Sequence, residues 1–109
     1  AFAPIANPMR CPWGQKAFTA YLGDDHRAWA QFDSVELLKA RGSDIPMLVD
    51  TGTADEFLQR ELNTAALIDV AATLPQATVR YQDGYDHSYY FVSTFIEEHL
   101  RFHAQHLLA

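Results

Sequence analysis

Cysteine is almost missing from this chain. Cys11 is the only one, so neither an intrachain disulfide nor a cysteine-rich zinc site can form, and a reducing compartment such as the cytoplasm is the easier setting. Basic residues are also few: 8 Lys and Arg stand against 14 Asp and Glu, giving a formal charge of -6. The cations are scattered rather than clustered, which argues against a nucleic-acid partner, because that affinity comes mainly from neutralising phosphates. No stretch approaches the roughly 20 consecutive apolar residues of a membrane-spanning helix, so no membrane partner is expected. Internal repeats and low-complexity tracts are absent too. So is any Gly-x-Ser-x-Gly, the strained strand-to-helix turn that exposes a nucleophilic serine. Ser34 and Ser88 read as helix caps, Ser43 lies in a loop, and Ser93 falls within the last helix. Cys11 is chemically able to replace Ser, but Arg10-Cys11-Pro12 is a proline-punctuated loop, and a structural thiol is the better reading.

What is present is an ordinary globular composition, 49% hydrophobic and 20% charged over 109 residues. Its texture changes near residue 45. Pro4, Pro8 and Pro12 make residues 2–13 a loop or extended segment, since each lacks a backbone donor and disfavours helix before it. Short helical pieces follow: residues 15–22 stopped by Gly23, a turn at 24–29, and 34–41 stopped by Gly42. Asp33 and Glu36 have the spacing of a capping box. Beyond Pro46 the pattern is regular. Met47-Leu48-Val49 reads as a buried strand. Phe57, Leu58, Leu62, Ala65, Ala66 and Val70 then recur at helical spacing before Pro75. Residues 78–81 read as a second strand, and 88–107 as a long amphipathic helix. Asp83-Gly84 is also a hairpin signal, but the helical spacing after it is too long for a strand. The result is a parallel β-α-β-α unit, an α/β fold class.

In such a sheet the loops leaving the carboxyl ends of the strands open onto one edge. One loop, residues 50–55, carries Asp55; the other, residues 84–87, carries His87. A right-handed crossover of this length makes the strands neighbours and brings the two side by side. A carboxylate beside an imidazole is the orienting half of a nucleophilic triad: it fixes the tautomer and stabilises the imidazolium that forms. The order acid then His is that of α/β-hydrolases, whose nucleophile comes earlier. Asp55 has a plainer reading, as a carboxylate complementing the next helix's dipole. His87 can equally be an ordinary loop histidine. Asp86 competes as the acid, though adjacent side chains in an extended loop diverge. His99, His103 and His106 share a helical face and suggest a metal, but packed or hydrogen-bonded histidines near a helix C-terminus are the better account.

The chain also resembles the C-terminal part of the S-formylglutathione hydrolases, the esterase D family of α/β-hydrolases. The likeness spans essentially the whole chain. It rests on Ala1-Phe2-Ala3-Pro4-Ile5 with Asn7-Pro8, on Cys11-Pro12-Trp13-Gly14, on Tyr21-Leu22-Gly23, and above all on Gly84-Tyr85-Asp86-His87-Ser88-Tyr89-Tyr90-Phe91. The resemblance implies that His87 is the catalytic base and Asp55 the triad acid. It implies hydrolysis of S-formylglutathione to glutathione and formate in formaldehyde detoxification, with small acyl esters as further substrates. It also implies no cofactor and no metal, a cytoplasmic enzyme, and a homodimer.

Residues 1–109 are thus expected to be the C-terminal portion of one α/β-hydrolase domain. An N-terminal portion with the Ser nucleophile and oxyanion hole is expected to be missing, the first residue is not Met, and this chain alone should be inactive. Two parallel strands also need more sheet beside them to cover their helices and edges. A general carboxylesterase of the same fold and a non-catalytic binding or structural module derived from it are the alternatives. Trp13 and the loop around Cys11 are candidates to border the acyl pocket, but ordinary core is the favoured reading of Trp13, because large aromatics are mostly buried for packing.

Overall fold

The computed structural model describes residues 1–108. Its elements in chain order are α1 (Pro12–Leu22), α2 (His26–Ala30), α3 (Ser34–Arg41), β1 (Met47–Gly52), α4 (Thr64–Ala71), β2 (Ala77–Gln82) and α5 (Tyr89–Leu107). The strands pair in parallel, Met47 against Ala77 through Gly52 against Gln82, as the β-α-β-α reading requires. Residues 1–3 lie along the other edge of β1. Asp50 donates its amide to Ala1 O and its carbonyl accepts from Ala3 N, at 3.0 and 2.8 Å. The segment read as irregular therefore begins as an extended stretch on the sheet edge.

Strand alternation decides which helix sees which side chain. Val49 packs with Ala6, Val35, Leu67 and Val70, joining β1 to α3 and α4. On the opposite face Asp50 meets His99 of α5. A second apolar cluster, built on Ala3, Leu62 and Phe91, seats the first turns of α5 beneath the strand ends.

The helix boundaries follow local chemistry. Pro12 is the first residue of α1, where its missing N–H costs nothing, so the helix starts earlier than residue 15. Gly14 is obligatory there, because a Cβ would meet Pro8 O at 2.0 Å. Asp33, not Ser34, caps α3: its Oδ1 accepts from Glu36 N at 3.0 Å. Ser88 caps α5 by accepting from Phe91 N. The continuous helix expected from Phe57 to Val70 is instead broken in two. Residues Leu58–Leu62 form a π turn, and Asn63 then adopts a left-handed conformation (φ 47°) that begins α4. Asn tolerates that region better than most residues. Here it is also tied down, since its Nδ2 donates to Asn7 Oδ1 at 2.8 Å, and Asn7 in turn donates to both carboxylate oxygens of the buried Asp33. This network fastens the N-terminal segment to α3 and α4.

Candidate active site

The two loops at the carboxyl ends of the strands are joined along their length. Thr53 N donates to Gln82 O, Gly84 N donates to Thr53 Oγ1 at 2.8 Å, and Ala54 N donates to Tyr85 O at 2.9 Å. Gly84, at φ 80°, makes the turn that lets the second loop fold back. Gly52 lets the loops touch, because a Cβ there would lie 2.0 Å from Tyr85 O.

This arrangement delivers Asp55 to His87. His87 Nδ1 lies 2.7 Å from Asp55 Oδ2, and the Asp55 side chain is wholly out of solvent. The other carboxylate oxygen, Oδ1, accepts from Phe57 N at 2.8 Å. Asp55 thus bonds the backbone of its own loop as well as His87, one through each oxygen, and it caps no helix: the π turn begins after Phe57 and α4 only at Thr64. A neutral His87 donating from Nδ1 leaves Nε2 as the free acceptor. Asp86 is exposed and is not the partner.

His87 borders an open depression of about 470 Å³ lined also by Phe2, Ala3, Ser88, Tyr89, Phe91 and Val92. Ala3 sits there at φ 47°, a conformation that a residue with a Cβ seldom adopts. On the other side, the ring of Phe57 meets the imidazole edge-on, with centroids 5.2 Å apart. Trp13 then packs on Phe57 at 4.9 Å. Trp13 is half exposed, not core as its size suggested, and its half-open position comes from standing at the start of α1 beside this loop.

The remaining candidates have other partners. Cys11 is buried and its thiol donates to Asn7 O; burial first, then the Glu61 and Asp33 charges, push its pKa up, the reverse of an activated nucleophile. His99 is buried, 2.6 Å from Asp50 Oδ2 through Nε2 and stacked on Phe2, whereas His103 and His106 meet Phe102 edge-on. Among the described residues no three His, Cys, Asp or Glu side chains are gathered to hold a metal. No described helix is long and apolar enough to cross a membrane.

One constellation escaped the sequence. Asp50 is wholly buried within β1 and takes a two-pronged contact from Arg80 at 2.8 Å, plus bonds from Gln82 and His99. Arg80 also reaches Glu98 of α5. Burial alone pushes the Asp50 carboxyl up, but the bonds from Arg80, His99 and Gln82 and the Arg80 charge outweigh it and hold the pKa at about 2. The Asp50 bond likewise raises the Arg80 pKa. Asp50 and Arg80 are direct register partners, a relation visible only once the strands are aligned.

A parallel β-α-β-α unit with an acid after one strand and a histidine after the next defines the C-terminal part of an α/β-hydrolase fold. The chain belongs to the Esterase family, whose model matches residues 1–102. It is similar to the S-formylglutathione hydrolase of Mus musculus, at 48% identity over 112 residues, covering 100% of this chain and 40% of that protein. Among solved structures, it is similar to the S-formylglutathione hydrolase of Agrobacterium tumefaciens, with a TM-score of 0.88 and 39% identity, covering 96% of this chain and 38% of that one. The chain thus spans about two fifths of the length of these relatives.

Proposed function

We propose that residues 1–109 are the C-terminal portion of one α/β-hydrolase domain and supply the acid–base pair of a serine thioesterase and esterase. By analogy with the relatives, the substrate is S-formylglutathione, cleaved to glutathione and formate. The nucleophilic Ser and the oxyanion donors belong to polypeptide outside these residues. The observation that supports this reading best is the 2.7 Å contact between His87 Nδ1 and a fully buried Asp55 carboxylate, in a histidine that lines an open depression.

In this mechanism His87 Nε2 takes the proton of the serine hydroxyl as it attacks the formyl carbon. Asp55 holds the ring and stabilises the imidazolium. The proton is then returned to the leaving thiolate as the C–S bond breaks, and a second round with water releases formate. The unpaired Cys11 favours the reducing cytoplasm as the setting.

Two measurements test the reading. In the full-length polypeptide containing these residues, His87→Ala should lower kcat on S-formylglutathione by ~1,000-fold or more, with the fold intact by circular dichroism. A polypeptide of residues 1–109 alone should show no turnover of that thioester or of 4-nitrophenyl acetate. Full activity in the His87→Ala enzyme would refute the acid–base assignment.

A further inference from the structure

Beside the Asp55–His87 pair lies a cleft that the acid–base chemistry does not use. Pro12, Trp13, Glu56, Phe57, Arg60 and Glu61 line it. It is separated from the imidazole by one ring: Phe57 stands 5.2 Å from His87 on one side and 4.9 Å from Trp13 on the other, centroid to centroid. Its charged residues are not equivalent. Glu61 is buried and engaged, since its Oε2 accepts the Trp13 amide at 2.9 Å. That bond occupies the Trp13 amide at the start of α1, and Arg60 is the one cationic side chain among the residues lining the cleft. Glu56 and Arg60 are both exposed and stand four residues apart, a spacing that often produces an ion pair on a regular helix. The π turn at Leu58–Leu62 disrupts that regularity, and among the described residues neither makes an ion pair. Among the described residues, one cation and one anion without an ion-pair partner thus line the same cleft as the Trp13 and Phe57 rings, next to the proposed proton-transfer centre.

We propose that this Trp13–Phe57 cleft, with Arg60 and Glu56, is the subsite for the thiol half of the substrate and selects a zwitterionic amino-acid end. The proposal rests on the function proposed above and specifies how the leaving group is held. Glutathione ends in a γ-glutamyl group carrying an α-carboxylate and an α-ammonium on one carbon. Arg60 meets the carboxylate, as a planar donor fork suits. Glu56 meets the ammonium. The peptide backbone lies along Trp13 and Phe57, and the sulfur points past Phe57 to His87. An uncharged thiol lacks both ionic contacts.

The test uses the full-length polypeptide in two arms. The first compares kcat/KM for S-formylglutathione with that for the formyl thioester of N-acetylcysteamine, which carries the same acyl group on a neutral thiol. Arg60→Ala should lower the preference for the glutathione thioester by ~10-fold, mostly through KM, and Glu56→Gln by a smaller factor. Arg60→Lys should restore part of it. The second arm titrates the non-hydrolysable S-methylglutathione and follows the Trp13 indole resonance by NMR; the wild type should shift and Arg60→Ala should bind ~10-fold more weakly. An unchanged preference together with unchanged S-methylglutathione binding in Arg60→Ala and Glu56→Gln would overturn the subsite while leaving the acid–base pair standing. Conversely, hydrolysis that survives His87→Ala would remove the proposed function, and the binding arm would still decide whether the cleft holds the thiol.

Discussion

Asp50 and His99, from a strand and a helix 49 positions apart, meet at 2.6 Å with both side chains out of solvent. The contact fixes α5 against β1. Because α5 begins immediately after His87 and Ser88, it also fixes the distance from the sheet at which His87 emerges.

Removing the imidazole leaves the Asp50 carboxylate with one donor fewer and opens a void beside Phe2. His99→Ala should therefore destabilise the fold by about 2 kcal/mol or more, read as a lower urea midpoint. His103→Ala, an exposed residue on the same helix, should change stability little.

The same carboxylate gives the fold an acid limit. Its pKa in the folded chain, about 2, lies below the ordinary 3.8, so it contributes stability that is fully present above about pH 4 and lost as the pH falls towards 2. The contribution is about 2 kcal/mol. Asp50→Asn should flatten the fall in stability between pH 4 and 2 in denaturant titrations, while lowering stability at neutral pH because Arg80 loses its buried partner.

Asp55→Asn separates the two tasks of this carboxylate. The amide oxygen still accepts from Phe57 N, so the loop should keep its shape. Its amide nitrogen facing His87 Nδ1 cannot accept the ring proton, which favours the wrong tautomer. In the full-length polypeptide, kcat on S-formylglutathione should fall by ~1,000-fold or more with little change in Tm.

Gly52→Ala should act on the loops rather than on the chemistry. A methyl group 2.0 Å from Tyr85 O cannot be accommodated, and the Ala54–Tyr85 bond must open. A cost of about 1–3 kcal/mol is expected, with loss of the His87–Asp55 contact seen as an altered His87 Nδ1 proton resonance.

The order of elements and the adjacency of the two loops were legible because they depend on short-range signals. Apolar runs of the right length marked the strands, Ser88 and Gly42 marked helix ends, and a crossover of this length left one reasonable placement for Asp55 and His87. What was hidden depends on partners distant in sequence. The break at Asn63 is held by Asn7, and helical spacing carries on through residues 57–70 as if nothing interrupted it. Asp50 looked like the first residue of a loop, whereas it lies within β1 facing Arg80 and His99. The size of Trp13 favours core over a place at a pocket border, and size does not say which side of a helix start faces the cleft.

The strand register also governs which changes in chain length the molecule can absorb. Asp50 and Arg80, like Thr53 and Asp83, meet across an interval of 30 positions, and Asp55 meets His87 across 32, the difference arising at the Gly84 turn. The crossover between the strands only has to return the chain to that register. An extra residue in the exposed turn between α4 and β2 moves no member of any of these pairs relative to its own strand. One inserted between Gly52 and Asp55 displaces the acid from its histidine outright. This chain should therefore tolerate a change of length after α4 but is held to a fixed count between each strand end and the residue it presents.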